Sequence, residues 1–299
     1  MTYSEIWHRI ATSYDDGEAR AIARILIEEL FGLSYTDIVC GATEQLSADD
    51  TLRLDTAVRR IEQGEPLQHV LGYADFCGNR FCVNGSVLIP RPETEWLVDE
   101  GAKLMDGCIA SDETQHKAPH SPKRILDIGT GSGCIAISLK LRLGDAYVEA
   151  WDISEEALRT AQDNADALKA EVVFRKRDAL RADNTAAPWD LIVSNPPYIC
   201  DSERTAMDDN VLLHEPHTAL FVPDDDPLRF YRAIARYALL TLNIGGSLLF
   251  ECNTRYAEAT GTMLRDMGFE EVTVSDDCFN LPRFVRGSSP SQPSPSGRA

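Results

Sequence analysis

Four consecutive residues, Asn195-Pro196-Pro197-Tyr198, are of the types and in the order that could hold a flat –NH2 group while something reacts at its nitrogen. They end the apolar run Leu191-Ile192-Val193-Ser194, which reads as a buried strand. Two adjacent prolines contribute carbonyls but no N–H groups, so this stretch is a ledge of acceptors. A carboxamide stands at one end of it and an aromatic ring at the other. Such a ledge accepts both protons of an amine or amide and leaves the nitrogen facing outward. A proline-rich turn closing a strand would use the same letters, so the rest of the chain has to decide.

A second candidate cluster is Ile125-Leu126-Asp127-Ile128-Gly129-Thr130-Gly131-Ser132-Gly133, which runs from a strand through three alternating glycines into a helix. Glycines let the backbone turn sharply and approach a ligand closely. The Gly-x-Gly-x-Gly spacing differs from the Gly-x-Gly-x-x-Gly expected of a dinucleotide site, and no Gly-Lys-Ser/Thr follows as in a nucleotide phosphate loop. Asp152 lies 23 residues after Gly129, at the end of the strand-like run Tyr147 to Trp151. An acid there can accept hydrogen bonds from both hydroxyls of a ribose, or can simply open the helix at Ser154. Asp178, in Arg177-Asp178-Ala179 after a third strand, suits an adenine amino group or a solvated loop equally well. A carboxylate at Asp127 favours a cationic amino-acid moiety and repels a pyrophosphate. Together these residues point to S-adenosylmethionine, with NAD(H) as the alternative for the same kind of pocket.

Composition narrows the classes. With 299 residues the chain is long enough for two domains of about 100–200 residues each. No apolar run approaches the roughly 18 residues of a membrane span. The start, Met1-Thr2-Tyr3-Ser4-Glu5, lacks a basic region followed by an apolar core, so a cytoplasmic protein is expected. The formal charge of −19 argues against duplex nucleic acid as the main partner. The eight cysteines are scattered; only Cys77 and Cys82 are close, and no zinc set completes them, so reduced thiols and no metal are expected.

The elements that must position these clusters follow from periodicity. Residues 1–72 read as a helical bundle: Ile22, Ile25, Leu26 and Leu30 share one helical face, as do Leu54, Val58 and Ile61, with Ser47-Ala48-Asp49-Asp50 as a capping box. This segment is either a substrate-docking domain or a stabilising cap. Residues 73–90 read as a hairpin linker turning at Gly78-Asn79, and Pro92 opens a helix with Trp96, Leu97 and Val98 on its buried side. Residues 106–123 read as an exposed loop. From there to 286, apolar runs alternate with helical stretches, the pattern of an α/β domain with a mainly parallel, Rossmann-like sheet. The Ser- and Pro-rich stretch 287–299 is expected to be a disordered tail. His214 and His217 fall in an expected loop, with no catalytic role assigned.

Taken together, these pieces resemble the class I S-adenosylmethionine-dependent methyltransferases, and among them the PrmC/HemK family of peptide chain release factor glutamine N5-methyltransferases. The resemblance rests on Ile89-Pro90-Arg91-Pro92-Glu93-Thr94-Glu95, on Asp127 to Ala136 and on Ser194 to Tyr198, and it covers roughly residues 1–286. Asn-Pro-Pro-Tyr alone is shared with enzymes that methylate exocyclic amines of nucleic-acid bases. The family acting on a ribosomal protein glutamine has a different sequence after Pro-Arg. The resemblance implies cofactor contacts at Gly129, Thr130, Gly131, Ser132, Gly133, Asp152 and Asn195, and substrate contacts at Asn195, Pro196, Pro197 and Tyr198. Asn195, Pro196 and Tyr198 are the expected catalytic residues. It also implies a release factor, through its Gly-Gly-Gln loop, as the protein substrate; another protein glutamine or a base amine remains the alternative. Ala179 stands where the family often has an adenine-stacking aromatic, and Asn253 and Tyr256 replace a common Gly and Gln.

Overall fold

The computed structural model describes residues 1–110, 122–182 and 188–291. Its backbone divides into two compact units: residues 1–73 with 83–85 and 206–215, and residues 74–82 with 86–205 and 216–299.

In the first unit, helices α1 (Tyr3–Ile10), α2 (Asp16–Phe31), α3 (Tyr35–Val39), α4 (Ala48–Glu62) and α5 (Leu67–Leu71) enclose an apolar core. Ile22, Leu26, Leu54, Val58 and Ile61 are buried in it, as their spacing predicts, while Ile25 and Leu30 are half-buried at its edge. Helix starts are set by local chemistry. Thr2 caps α1 and Ser34 caps α3 in reciprocal capping boxes with Glu5 and Asp37. Ser47 caps α4 by accepting the Asp50 amide, but the Asp50 carboxylate accepts the Ser47 hydroxyl rather than completing a box. The Arg9 guanidinium ties α1 to α4 through Asp55 and Glu62, each at 2.7 Å. The short helix α9 (Asp209–His214) belongs to this unit.

Strands β1 (Tyr73–Phe76) and β2 (Asn79–Cys82) form a hairpin. Its turn is Cys77-Gly78, one residue earlier than expected. Both residues have positive φ, 48° and 73°, the geometry that matches the twist of a two-residue hairpin, and Gly78 takes its second position.

The second unit continues through α6 (Glu95–Ala110), β3 (Arg124–Ile128), α7 (Cys134–Leu143), β4 (Tyr147–Asp152), α8 (Glu155–Leu168), β5 (Val172–Lys176), β6 (Trp189–Ser194) and β7 (Ile199–Cys200). It closes with α10 (His217–Leu220), β8 (Phe221–Val222), α11 (Arg229–Thr241), β9 (Leu242–Glu251), α12 (Ala257–Met267), β10 (Glu270–Asp276) and β11 (Pro282–Ser288). Seven strands make one sheet in the order β10-β11-β9-β6-β3-β4-β5, parallel from β9 to β5 and antiparallel at β10 and β11. Helices cover both faces, so neighbouring residues of one strand enter different cores. Ile125, Leu191, Val193 and Leu249 pack into one, and Leu126, Ile192, Leu248 and Phe250 into the other. That two-sided burial is why the central strands read as unbroken apolar runs.

Several boundaries differ from expectation. Helix α6 runs on to Ala110, into the expected loop, and residues 111–121 of that loop lie outside the described residues. Gly287 and Ser288, expected in an unstructured tail, pair with Leu248 and Ser247 of β9, because an edge strand satisfies its backbone by continuing the ladder. Residues 292–299 of that tail lie outside the described residues. His214 and His217 end α9 and begin α10 rather than sitting in a loop.

Asn164 of α8, 1% exposed, joins the hairpin to the glycine loop. Its Oδ1 accepts the Cys82 amide at 2.7 Å, and its Nδ2 donates to the carbonyls of Cys82 and Ser132 at 3.0 and 2.9 Å. Asn164→Ala leaves these backbone groups without their partner, so a stability loss of roughly 2–4 kcal/mol in urea unfolding is expected. A loss below about 1 kcal/mol, that of an ordinary surface change, would show that the hairpin is anchored elsewhere.

Candidate active site

Strand order reverses between β3, which leads to β4, and β6 on its other side, so the loops leaving these strands diverge and open a crevice at their C-terminal ends. Each candidate cluster leaves one of these ends. The glycine loop follows β3, Asp152 ends β4, Asp178 follows β5 and Asn195 follows β6.

Gly129, Gly131 and Gly133 all have positive φ, between 54° and 81°, where a side chain would strain the backbone. Two consecutive amides, of Gly129 and Thr130, donate to the Trp151 carbonyl at 2.9 Å each, fastening the loop to the end of β4. The Gly131 amide donates to Asp152 Oδ2 at 3.0 Å, and the Ser154 amide to Oδ1 at 2.9 Å. These amides orient the Asp152 carboxylate and offset part of the burial that raises its pKa. Gly133 serves packing rather than ligand access. A Cβ there would lie 2.9 Å from Ile137 Cδ1 and 3.1 Å from Ala161 Cβ, where α7 and α8 meet.

A cavity of about 380 Å³ opens over this loop. Of the residues singled out by sequence, Gly129, Thr130, Gly131, Ser132, Asp152, Asp178, Ala179, Asn195 and Pro197 line it. Asp127, Gly133, Pro196 and Tyr198 do not. Asp127 departs furthest from the role expected of it. It is fully buried, its Oδ2 accepts the Thr130 hydroxyl at 2.7 Å, and burial pushes its carboxyl up to about 7 against the Thr130 and Ala136 hydrogen bonds. It braces the loop from behind and presents no carboxylate to the cavity. Pro196 is buried. The Tyr198 hydroxyl donates to Glu251 Oε1 at 3.3 Å, its ring packs with the second apolar core, and burial raises its pKa.

The walls also hold residues with no earlier assignment: Arg91 and Thr94, Ile153, Arg177, Phe221, and Arg229 with Phe230 at the start of α11. The Pro90-Arg91-Pro92-Glu93-Thr94 stretch carried a signal for the first two. Nothing local in sequence marks Phe221 or Phe230. Beneath Asn195 lies a buried polar group. Asn195 Nδ2 is 3.4 Å from Thr94 Oγ1, which in turn donates to Glu251 Oε2 at 2.7 Å. Thr94 is 3% exposed and Glu251 0%. Burial raises the Glu251 carboxyl to about 7; the Thr94 hydroxyl, Arg283 and Tyr198 pull it down, and Glu93 pushes it further up.

The donor set fits a nucleoside-bearing cofactor. An oriented carboxylate at Asp152 suits a ribose diol, the open backbone at Gly131 admits close approach, and apolar Ile153, Ala179 and Leu180 offer a base-sized wall. Among the described residues no Lys lines the cavity, and its Arg residues stand outside the glycine loop. A mainly parallel sheet with a glycine loop after β3, an acid ending β4 and Asn195-Pro196-Pro197-Tyr198 after β6 defines a Rossmann-like methyltransferase.

Comparison with known proteins carries this further. The methyltransferase small domain family matches residues 96–220, and the PrmC N-terminal domain family matches residues 8–72. A release factor glutamine methyltransferase of Bacteroides thetaiotaomicron is 44% identical over 273 residues, 91% of this chain and 93% of that protein. One of Flavobacterium psychrophilum is 36% identical, over 93% and 94% of the two chains. Among solved structures, the hMettl16 catalytic domain in complex with MAT2A 3'UTR hairpin 6 is similar in fold alone. It has a TM-score of 0.52 and 17% identity, with 82% of this chain and 83% of that one covered. The chain belongs to the release factor glutamine methyltransferase family.

Asp127 gives the site a measurable pH signature. Its pKa is raised from 3.8 to about 7, so the fold binds this proton more tightly than the unfolded chain does. The stability it contributes is complete below about pH 4 and is lost as pH climbs to about 7. Asp127→Asn cannot ionise, so its stability relative to the parent is expected to improve by roughly 2–3 kcal/mol between pH 5 and pH 8. Urea unfolding across that range reads the difference; a pH-independent difference would mean that Asp127 is not held as a neutral acid.

Proposed function

We propose that this protein transfers a methyl group from S-adenosylmethionine to the side-chain amide nitrogen of the glutamine in the Gly-Gly-Gln motif of peptide chain release factors. One observation carries the reading: Asn195 and Pro197 share a single cavity with the glycine loop and Asp152. A ledge suited to an amide thus faces the same space as a carboxylate suited to a ribose. The names of the relatives from Bacteroides and Flavobacterium support the substrate. Release factors act on ribosomes, and the reading therefore puts the protein in the cytoplasm. The N-terminal helical unit, matching the PrmC N-terminal domain, is assigned as the docking surface for the protein substrate.

The cofactor would be held by the backbone of Gly129 to Ser132 and by Asp152, with Asp178, Ala179 and Leu180 at the adenine end. Once bound, it supplies a methyl group on a positively charged sulfur. What remains for the chain is to hold a poor nucleophile, because the lone pair of an amide nitrogen is delocalised into its carbonyl. The Oδ1 of Asn195, which lines the cavity, accepts one N–H bond of the substrate glutamine, and the backbone carbonyl of Pro196, whose ring is buried behind the ledge, is assigned the other. Those bonds fix the nitrogen and stabilise the positive charge that develops on it. No general base is required, since the N-methylated amide cation is strongly acidic and loses its proton to water. A glutamate offers the ledge no N–H, leaving acceptors unpaired against a carboxylate, and is rejected.

The test is transfer of labelled methyl to a purified release factor, with its Gly-Gly-Gln glutamine changed to glutamate as control and a nucleic acid alongside. Label on the unaltered factor alone is the expected result; label on nucleic acid with the factor untouched would overturn the substrate. Two variants then separate the roles. Asn195→Ala should lower kcat roughly 10²-fold with cofactor affinity nearly unchanged. Asp152→Ala should weaken cofactor binding by roughly 10- to 100-fold, the loss expected of hydrogen bonds to a charged group. Equal loss of turnover and cofactor affinity in Asn195→Ala would remove Asn195 from the amide-holding role.

A further inference from the structure

We infer that Glu251 is a positioning residue of this site: through the Thr94 hydroxyl it decides which end of the Asn195 carboxamide is turned toward the methyl acceptor. The inference rests on the reading of Asn195 as the amide-holding group and deepens it.

The two ends of an asparagine side chain have nearly the same shape, and only the hydrogen-bond network distinguishes them. For Asn195 the distinction is decisive. With Oδ1 toward the substrate it accepts an N–H; with Nδ2 there, two donors would face each other. A threonine hydroxyl has one proton to give. Thr94 Oγ1 lies 2.7 Å from Glu251 Oε2, both groups are buried, and an ionised carboxylate only accepts. The Thr94 proton is therefore committed to Glu251, and the oxygen keeps only lone pairs for its other neighbour. That neighbour is Asn195, at 3.4 Å. An acceptor at this place selects the Nδ2 end and leaves Oδ1 on the other side. The contact is long for a hydrogen bond, so it biases orientation by polarity rather than by anchoring.

The same carboxylate holds the other end of the ledge. Glu251 Oε1 accepts the Tyr198 hydroxyl at 3.3 Å, and the Tyr198 carbonyl accepts from Asn253 Nδ2 at 3.2 Å. One buried acid thus fixes the hydrogen-bond direction of both residues that flank Pro196 and Pro197.

The device depends on the charge of Glu251. If Glu251 takes up a proton, its hydroxyl can donate to Thr94, the Thr94 proton is freed toward Asn195, and the carboxamide is turned over. The groups acting on Glu251 are Thr94 and Glu93 from the turn before α6, Tyr198 after β6 and Arg283 of β11, and Glu251 in turn raises its chain neighbour Cys252. Their balance with burial leaves the carboxyl at about 7. The expected consequence is a kcat that rises as pH increases through about 7.

The experiment uses the full chain, a purified release factor and labelled S-adenosylmethionine. It measures kcat, KM for the factor and cofactor affinity from pH 5.5 to 8.5 (about three units around the step). Thr94→Val, of the same shape but without the hydroxyl, should lower kcat about tenfold or more, with cofactor affinity retained. Thr94→Ser should restore most of that loss. Glu251→Gln cannot ionise and, compared in a chain that also carries Asp127→Asn so that the other acid near 7 is silent, should abolish the pH step near neutrality. Full kcat in Thr94→Val, or a pH step that survives Glu251→Gln in that background, would overturn the inference. Should Thr94→Val fail to fold, the pH profile of Glu251→Gln decides alone. Full activity in Asn195→Ala would instead defeat the amide-holding reading itself, an outcome distinguishable from either.

Discussion

The carbonyl of Trp151 accepts two successive amides, from Gly129 and Thr130, and the geometry of the whole site follows from this junction. It brings the first turn after β3 onto the penultimate residue of β4. Only a loop with positive φ at Gly129 and Gly131 can make that approach. The junction also places the Gly131 amide on Asp152, so the carboxylate is oriented by the same turn that opens the cavity. Trp151 is itself fixed. Its ring is buried, its indole N–H donates to Glu149 at 2.7 Å, and the Arg177 guanidinium covers it at 4.7 Å.

Two fully buried carboxyls flank the cavity, one behind each functional wall. Asp127 braces the glycine loop through Thr130, and Glu251 braces the amide ledge through Thr94 and Tyr198. Neither lines the cavity, and burial raises both to about 7. Burying a carboxyl is costly, and of the two only the cost at Glu251 is offset by a guanidinium, that of Arg283, acting on it among the described residues. In each case the acid holds a threonine hydroxyl at 2.7 Å, Thr130 behind the loop and Thr94 behind the ledge. Loop and ledge are held by the same kind of device, an acid that acts one residue removed from the ligand.

The N-terminal unit follows different physics. Helices α1 to α4 start at capping side chains, and polar cross-links such as the Arg9 pair with Asp55 and Glu62 join them. Partly exposed ion pairs of this kind stabilise weakly, so the apolar core must hold the bundle together.

Much of this architecture is legible in the sequence. The parallel α/β sheet, the helical N-terminal unit, the glycine loop and the terminal acid of β4 are read from local pattern, because periodicity and glycine placement report on the residue's own backbone. The hairpin turns one residue earlier than Gly78-Asn79 suggests, since Cys77 adopts a left-handed conformation that its side chain does not advertise. Asp127 was expected to face the ligand because its position in sequence adjoins the loop. In the fold it points into the core and binds Thr130, a matter of side-chain direction that spacing does not encode. Glu251 and Thr94, 157 residues apart, meet only because β9 lies beside β6 and the turn before α6 crosses their ends. The sequence by itself determined which residue types stand at the ends of which strands. Only the tertiary structure decided which of them face the cavity and which hydrogen bonds direct them, because burial and hydrogen-bond polarity arise from segments that are distant in the chain.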